Sequence, residues 1–285
     1  MLSGIDISHW QNEIDWMKVK RSGVKFAFIH ATQFAERSTE LKVSPKLIFN
    51  IQQASANNIS WSVWHQFCIH IDPVIQAEAF LKSIDDHSCL PPSIKLDQAG
   101  LKPERLNYKL RRLLEAIEER TGQKPIICTT CAFWQTYMVG EKETLTDWAR
   151  EYPLWLTQHH NMWPSPLYPW AGWTFWEYTD NGRLPGIQTN VSMSWFNGSQ
   201  DDMSQMMTKL ITQKDPQMKR DEEINNLKTP NSNGGVEQSD EKAELQPQVQ
   251  KNDQDVSHNK EKAESLLHTS KEGTWVDTYF FNNKN

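Results

Sequence analysis

Along the first two thirds of the chain, short runs of Val, Ile, Phe and Trp alternate with stretches of helical periodicity. The runs at 4–8, 25–32, 60–67, 93–97, 124–129, 153–158 and 172–178 have the β-branched and aromatic content of strands. Between them, Ser44 followed by Pro45 predicts a helix start with Ser44 as its cap. Residues 73–84 and 103–120 read as further helices. In the longer one Leu106, Leu110, Leu113, Leu114 and Ile117 recur at helical spacing, and Gly122 marks the end. Such alternation predicts a mostly parallel α/β sheet or barrel. Beyond Leu154 the helical patterns vanish and strand-like runs follow one another closely, so the last third of the barrel is expected to lack full crossover helices.

The pattern changes near Gln213. Residues 213–270 are rich in Gln, Asn, Lys, Glu, Asp and Ser and poor in aromatics. Such a segment buries too little apolar area to offset its ordering entropy, so it reads as a disordered polar linker. Residues 271–285 regain aromatics at Trp275, Tyr279, Phe280 and Phe281, a composition that fits a short docking segment for a protein partner. The expected organisation is therefore a folded domain over 1–212, the linker, and the aromatic terminus.

Composition narrows the function. Residues 1–212 carry 20 Lys/Arg against 22 Asp/Glu, and 213–285 carry 10 against 14. This acidic balance argues against nucleic acid as the main partner. No apolar run approaches the roughly 20 residues of a membrane helix. Met1-Leu2-Ser3-Gly4 opens without a basic or long apolar leader, which predicts cytoplasmic synthesis, with release by lysis or non-classical secretion. Cys128 and Cys131 form a C-x-x-C with no second pair at zinc spacing, and His9, His30 and His65 read as hydrogen-bonded histidines, so neither a metal nor a cofactor is expected.

Two carboxylates stand out. Asp6 interrupts an apolar strand, a costly placement unless the charge is paired or used. Asp97 ends the short strand at 93–97. On a barrel, residues at strand C-termini face the active-site mouth, and two carboxylates from different strands are what glycoside hydrolysis uses.

The motifs then become specific. Gly4–Gln11 resembles the G-I-D-V-S-x-W-Q opening of glycoside hydrolase family 25, the Chalaropsis-type lysozymes or N-acetylmuramidases. Phe26–Phe34, Trp64-His65-Gln66-Phe67, Cys128–Trp134, Tyr152–Trp155, Trp173–Tyr178, Pro185–Ile187 and Val191–Gly198 follow that family's later motifs in order. The resemblance implies a TIM-like barrel with several helices missing and peptidoglycan or a related glycan as the substrate. The aromatic and imidazole side chains Trp10, His65, Trp134, Trp155 and Trp176 are the candidates for contacting that glycan.

The departures from the family pattern are as informative. Its general-acid Glu, in a D-x-E pair, falls on Ala99; the Glu of its A-T-E-G falls on Gln33, followed by Phe34. The late Asp falls on Ser192, a Tyr on Cys128 and a Lys on His30. Alanine cannot deliver a proton to the leaving oxygen, a service worth about 10²–10⁴ in rate. Asp6 and Asp97 survive, and Glu177 on a late strand is the candidate replacement acid. Phe34, Trp64 and His30 are bulky enough to occupy the mouth. The residues therefore leave three readings open: a weakened muramidase, a non-catalytic cell-wall glycan binder, and a protein-interaction module on the same barrel.

Overall fold

The computed structural model describes residues 1–207 except 36–37, 85–87, 141–142 and 160–162. The expected polar linker at 213–270 and the aromatic terminus at 271–285 lie outside the described residues. The strands are β1 (Leu2–Ile7), β2 (Phe26–Phe34), β3 (Leu41–Val43), β4 (Ser60–Gln66), β5 (Ser93–Lys95), β6 (Ile126–Thr130), β7 (Leu154–Thr157), β8 (Phe175–Gly182) and β9 (Val191–Phe196). Their order is β1-β9-β8-β7-β6-β5-β4-β2-β3, and β1 also pairs with β2, which closes eight of them into a barrel. β9 is antiparallel to both of its neighbours, β8 and β1. The other seven wall strands run parallel, and β3 is an antiparallel appendage of β2.

This topology explains the missing helix between β8 and β9, whereas β7 and β8 pair in parallel with no helix among the described residues of their connection. A parallel strand needs a long crossover, whereas an antiparallel one can return through a short connection. The helices α1 (Trp16–Arg21), α2 (Leu47–Ala56), α3 (Pro73–Ser83) and α4 (Pro103–Thr121) follow β1, β3, β4 and β5. Leu106, Leu110, Leu113, Leu114 and Ile117 of α4 are fully buried, and Gly122 ends it in the left-handed conformation. Among the described residues no helix lies between β8 and β9 in the chain, and Trp176, Tyr178 and Trp195 pack against one another.

The helix expected to start at Ser44 begins later. α2 starts at Leu47, and Lys46 precedes it without a side-chain cap. Ser44 is buried, and its backbone N–H donates to the Ala31 carbonyl. The β2–β3 ladder runs to Val43. That pairing holds Ser44 against β2, so the chain turns through Pro45 before it can wind.

Strand alternation divides the core. Ile5 and Ile7 face the helices, while Phe26, Phe28, Ile126, Cys128, Trp155, Phe175 and Phe196 form the barrel interior. Phe28 stacks on Trp155 at 3.8 Å. Helical residues 200–207 bring Met203 against the same cluster. Gly4 has no alternative in this wall, because a Cβ there would lie 2.3 Å from the Phe26 ring.

Candidate functional site

Above the aromatic layer the interior turns polar. On β1, Asp6 follows Gly4 on the inward face and is 8% exposed. Trp64 Nε1 on β4 donates to Asp6 Oδ1 at 2.8 Å, and Lys95 Nζ on β5 lies 3.7 Å from Asp6 Oδ2. The same ammonium sits 4.9 Å above the Trp64 ring, and His30 of β2 stacks on that indole at 4.1 Å. Two residues beyond Lys95, Asp97 is exposed at the mouth and accepts from Gln66 Nε2 at 2.6 Å.

From the opposite wall, Glu177 of β8 is 3% exposed. His159, just beyond β7, donates to Glu177 Oε1 at 2.9 Å, with Asp180 3.6 Å from its other nitrogen. Glu177 Oε2 is buried without a hydrogen-bond partner among the described residues. Asp6, Asp97 and Glu177 thus all reach the C-terminal mouth, with Lys95 among them.

The electrostatics follow from burial against this mixed charge. Burial pushes the Asp6 carboxyl up to about 7; Lys95 opposes the shift and Glu177 adds to it. Burial disfavours the Lys95 charge, but Asp6, Glu177 and Asp97 outweigh it and hold the ammonium above the usual lysine value. The hydrogen bond to Glu177 raises His159. Burial lowers His30 to about 3 and His65 to about 4, so both imidazoles are neutral near pH 7.

Two of the positions singled out in the motifs flank this site. Ser192 stands opposite Asp6 in the β1–β9 ladder, and Cys128 stands opposite Lys95 in the β5–β6 ladder. Burial drives the Cys128 thiol upward, so it is not a poised thiolate. Ala99 sits in the loop after β5, half-buried against the helix-facing core. Phe34 is not in the mouth; it joins Cys68 and Ile71 in a separate cluster.

The structure corrects most of the expected glycan contacts. His65 is sealed between Thr32 Oγ1 at 2.8 Å and Gln76 Oε1 at 3.3 Å. Trp134 is enclosed against Trp170, and Trp155 fills the barrel interior beneath the polar layer. Trp176 points outward, is buried, and donates to the Gln158 carbonyl. A ring enclosed by protein has no face left for a sugar. Trp10, 53% exposed beyond β1, is the one candidate that remains open.

Lys95 and His159 were not singled out from the sequence. Lys95 was legible as the residue sharing strand parity with Asp97; nothing local marked His159. Among the described residues no group of three or more His, Cys, Asp or Glu is placed to hold a metal ion, and no helix is long and apolar enough to cross a membrane.

Comparison with known proteins places this arrangement. Residues 5–187 match the model of glycosyl hydrolases family 25. The chain is 30% identical over 209 residues to the uncharacterized protein YegX of Escherichia coli, covering 71% of this chain and 72% of that protein. It is 27% identical over 210 residues to lysozyme M1 of Streptomyces globisporus, covering 70% and 68% of the two chains. The crystal structure of the bacterial lysozyme from Streptomyces coelicolor superposes with a TM-score of 0.63 at 23% identity, covering 72% of this chain and 96% of that one. The barrel with one reversed strand, the ordered motifs and these matches agree: the chain belongs to glycosyl hydrolase family 25.

Proposed function

We propose that this family 25 barrel binds the glycan of cell-wall peptidoglycan at its C-terminal mouth, with muramidase turnover absent or strongly reduced. The observation that carries this reading is the Lys95 ammonium set among the remaining acids, in a chain with alanine at position 99. Glycosidic cleavage needs one carboxyl to protonate the leaving oxygen and a second to trap or stabilise the developing cation. Asp6 is engaged by Lys95 and Trp64, and Glu177 by His159. Asp97 alone is exposed, and one carboxylate does not supply both roles.

The test is turbidity clearing and muropeptide analysis with purified protein, beside pelleting on insoluble peptidoglycan. Pelleting without clearing is the expected result. Neither pelleting nor clearing removes the glycan reading and leaves the protein-interaction alternative. Clearing supports a second reading, hydrolysis with Asp6 or Glu177 as the acid. The burial of Asp6 favours that second reading, because desolvation raises its carboxyl towards the proton affinity that a general acid requires.

A further inference from the structure

We propose that β3 is the docking edge for a second copy of this chain, the two β3 strands pairing antiparallel about a twofold axis. Closure of the wall leaves β3 at the end of the sheet order, with β2 on one side and no strand on the other among the described residues. The ladder to β2 shows which backbone groups remain. The Ala35 N–H donates to the Glu40 carbonyl and the Ser44 N–H to the Ala31 carbonyl, and Lys42 stands opposite Gln33 between them. Residues 40, 42 and 44 therefore turn their backbone groups towards β2. The N–H and C=O groups of Leu41 and Val43 point away from it. Such an outward row is a template for another strand.

The charges on this edge fit a second copy. Twofold pairing through Leu41 and Val43 admits two registers. With Lys42 opposite Lys42, like charges meet at the centre, which is destabilising. With Leu41 opposite Leu41, Glu40 of each copy faces Lys42 of the other, and Thr39 faces Val43. Glu40 and Lys42 then form the pairs without backbone hydrogen bonds, where opposed side chains come closest. Glu40 is exposed and Lys42 half-buried. A lysine on a short edge strand ordinarily discourages pairing. Glu40 on the same face makes it selective instead, since a strand must carry the reversed order of charges to meet both. An isologous contact supplies that order automatically.

Residues 39–43 alone bury less than the roughly 1,200 Å² of total area that a stable interface needs. Apolar surface at the end of the edge adds to it. Val43 is 44% exposed, and Ile48 and Phe49, in the first turn of the helix that follows β3, are 55% and 51% exposed. β3 pairs with Thr32–Phe34 at the C-terminal end of β2, so the second copy docks on the mouth side of the barrel.

The test is the molar mass of the full chain by sedimentation at low salt, from about 10 µM to about 500 µM. The mass is expected to rise towards two chains with concentration, and a mass of one chain throughout overturns the proposal. Lys42→Glu and Glu40→Lys should each weaken association about fivefold or more, because each sets like charges opposite one another. An equimolar mixture of these two variants should recover it, since each then meets opposite charges on the other. Val43→Pro removes an outward N–H without touching the ladder to β2, and should weaken association at an unchanged Tm. If the protein associates but the mixture does not recover, or Val43→Pro associates as well as the parent, the contact lies elsewhere and the β3 edge is wrong.

Discussion

The Lys95 ammonium lies 3.7 Å from the Asp6 carboxylate, although the two residues come from strands that are not neighbours in the barrel wall. The pair spans the interior between β1 and β5. Two carboxylates, Asp6 and Glu177, are almost completely removed from water there. Buried charges of one sign are tolerated only with a nearby opposite charge.

Removing that opposite charge should therefore be costly. Lys95→Met is expected to destabilise the fold by about 3–5 kcal/mol near neutral pH, because it leaves buried acids unpaired. The deficit should shrink in acid, where Asp6, raised to about 7, is neutral. Urea unfolding of both proteins at about pH 7 and about pH 4 checks this. An equal deficit at both pH values would show that Lys95 contributes packing rather than charge.

Asp6 should leave a signature in the pH dependence of stability. Its folded value of about 7 stands above the ordinary 3.8. The unfolded chain releases this proton first, so the contribution of Asp6 is greatest below the ordinary value and declines as pH rises towards about 7. Asp6→Asn should flatten the fall of Tm across that window. A variant whose Tm profile parallels the parent would remove Asp6 as its source.

His159 titrates in the opposite environment from His30 and His65. Its partner Glu177 raises it above 6.5, whereas burial holds the other two low. An NMR titration should show His159 protonating above the ordinary histidine value, and Glu177→Gln should bring its midpoint down. The stability from this pair is present below the ordinary value and is lost as pH rises through the raised one. A midpoint unchanged in Glu177→Gln would break the link between the two residues.

Introducing acids at the positions the motif resemblance singles out tests the proposed loss of turnover. Ala99→Glu alone should recover little clearing of cell walls, since Gln33 and Ser192 also stand where the family has acids. Ala99→Glu with Gln33→Glu and Ser192→Asp should recover more, because residues that act as a unit are non-additive. Ser192 faces Asp6 across the β1–β9 ladder, so the new carboxylate would add charge beside the Lys95 pair. Full recovery by Ala99→Glu alone would place the whole defect at that position.

Trp155 separates packing from binding. It stacks on Phe28 inside the barrel with no exposed face. Trp155→Ala should cost about 3–5 kcal/mol of stability, as large-to-small core changes do. Glycan pelleting by the fraction that remains folded should not change, and a loss of pelleting at full stability would return Trp155 to the ligand site.

Much of the fold was legible because it rests on local periodicity. The apolar spacing of α4 depends only on which residues share a helix face, and the Leu and Ile positions there are buried as that spacing requires. Asp6 was visible for the same kind of reason: a carboxylate within an apolar strand must be paired or functional wherever it lies. Ordered motifs from Gly4 to Gly198 carried the family, and the absence of helical patterns after Leu154 fits the reversed β9.

What the sequence could not decide was which faces closure would cover. Trp155 points inward and Trp176 outward, and both are buried; Trp10 and Trp163 are left open by the loops that carry them. Strand parity alone separates two faces but does not say what packs on either. Nor could it pair Lys95 with Asp6 or His159 with Glu177, because each contact joins segments far apart in the chain. By itself the sequence determined the family and the barrel. Only the closed barrel decided that a lysine stands among the surviving acids, since the charge a buried group meets is set by the strands that closure brings around it.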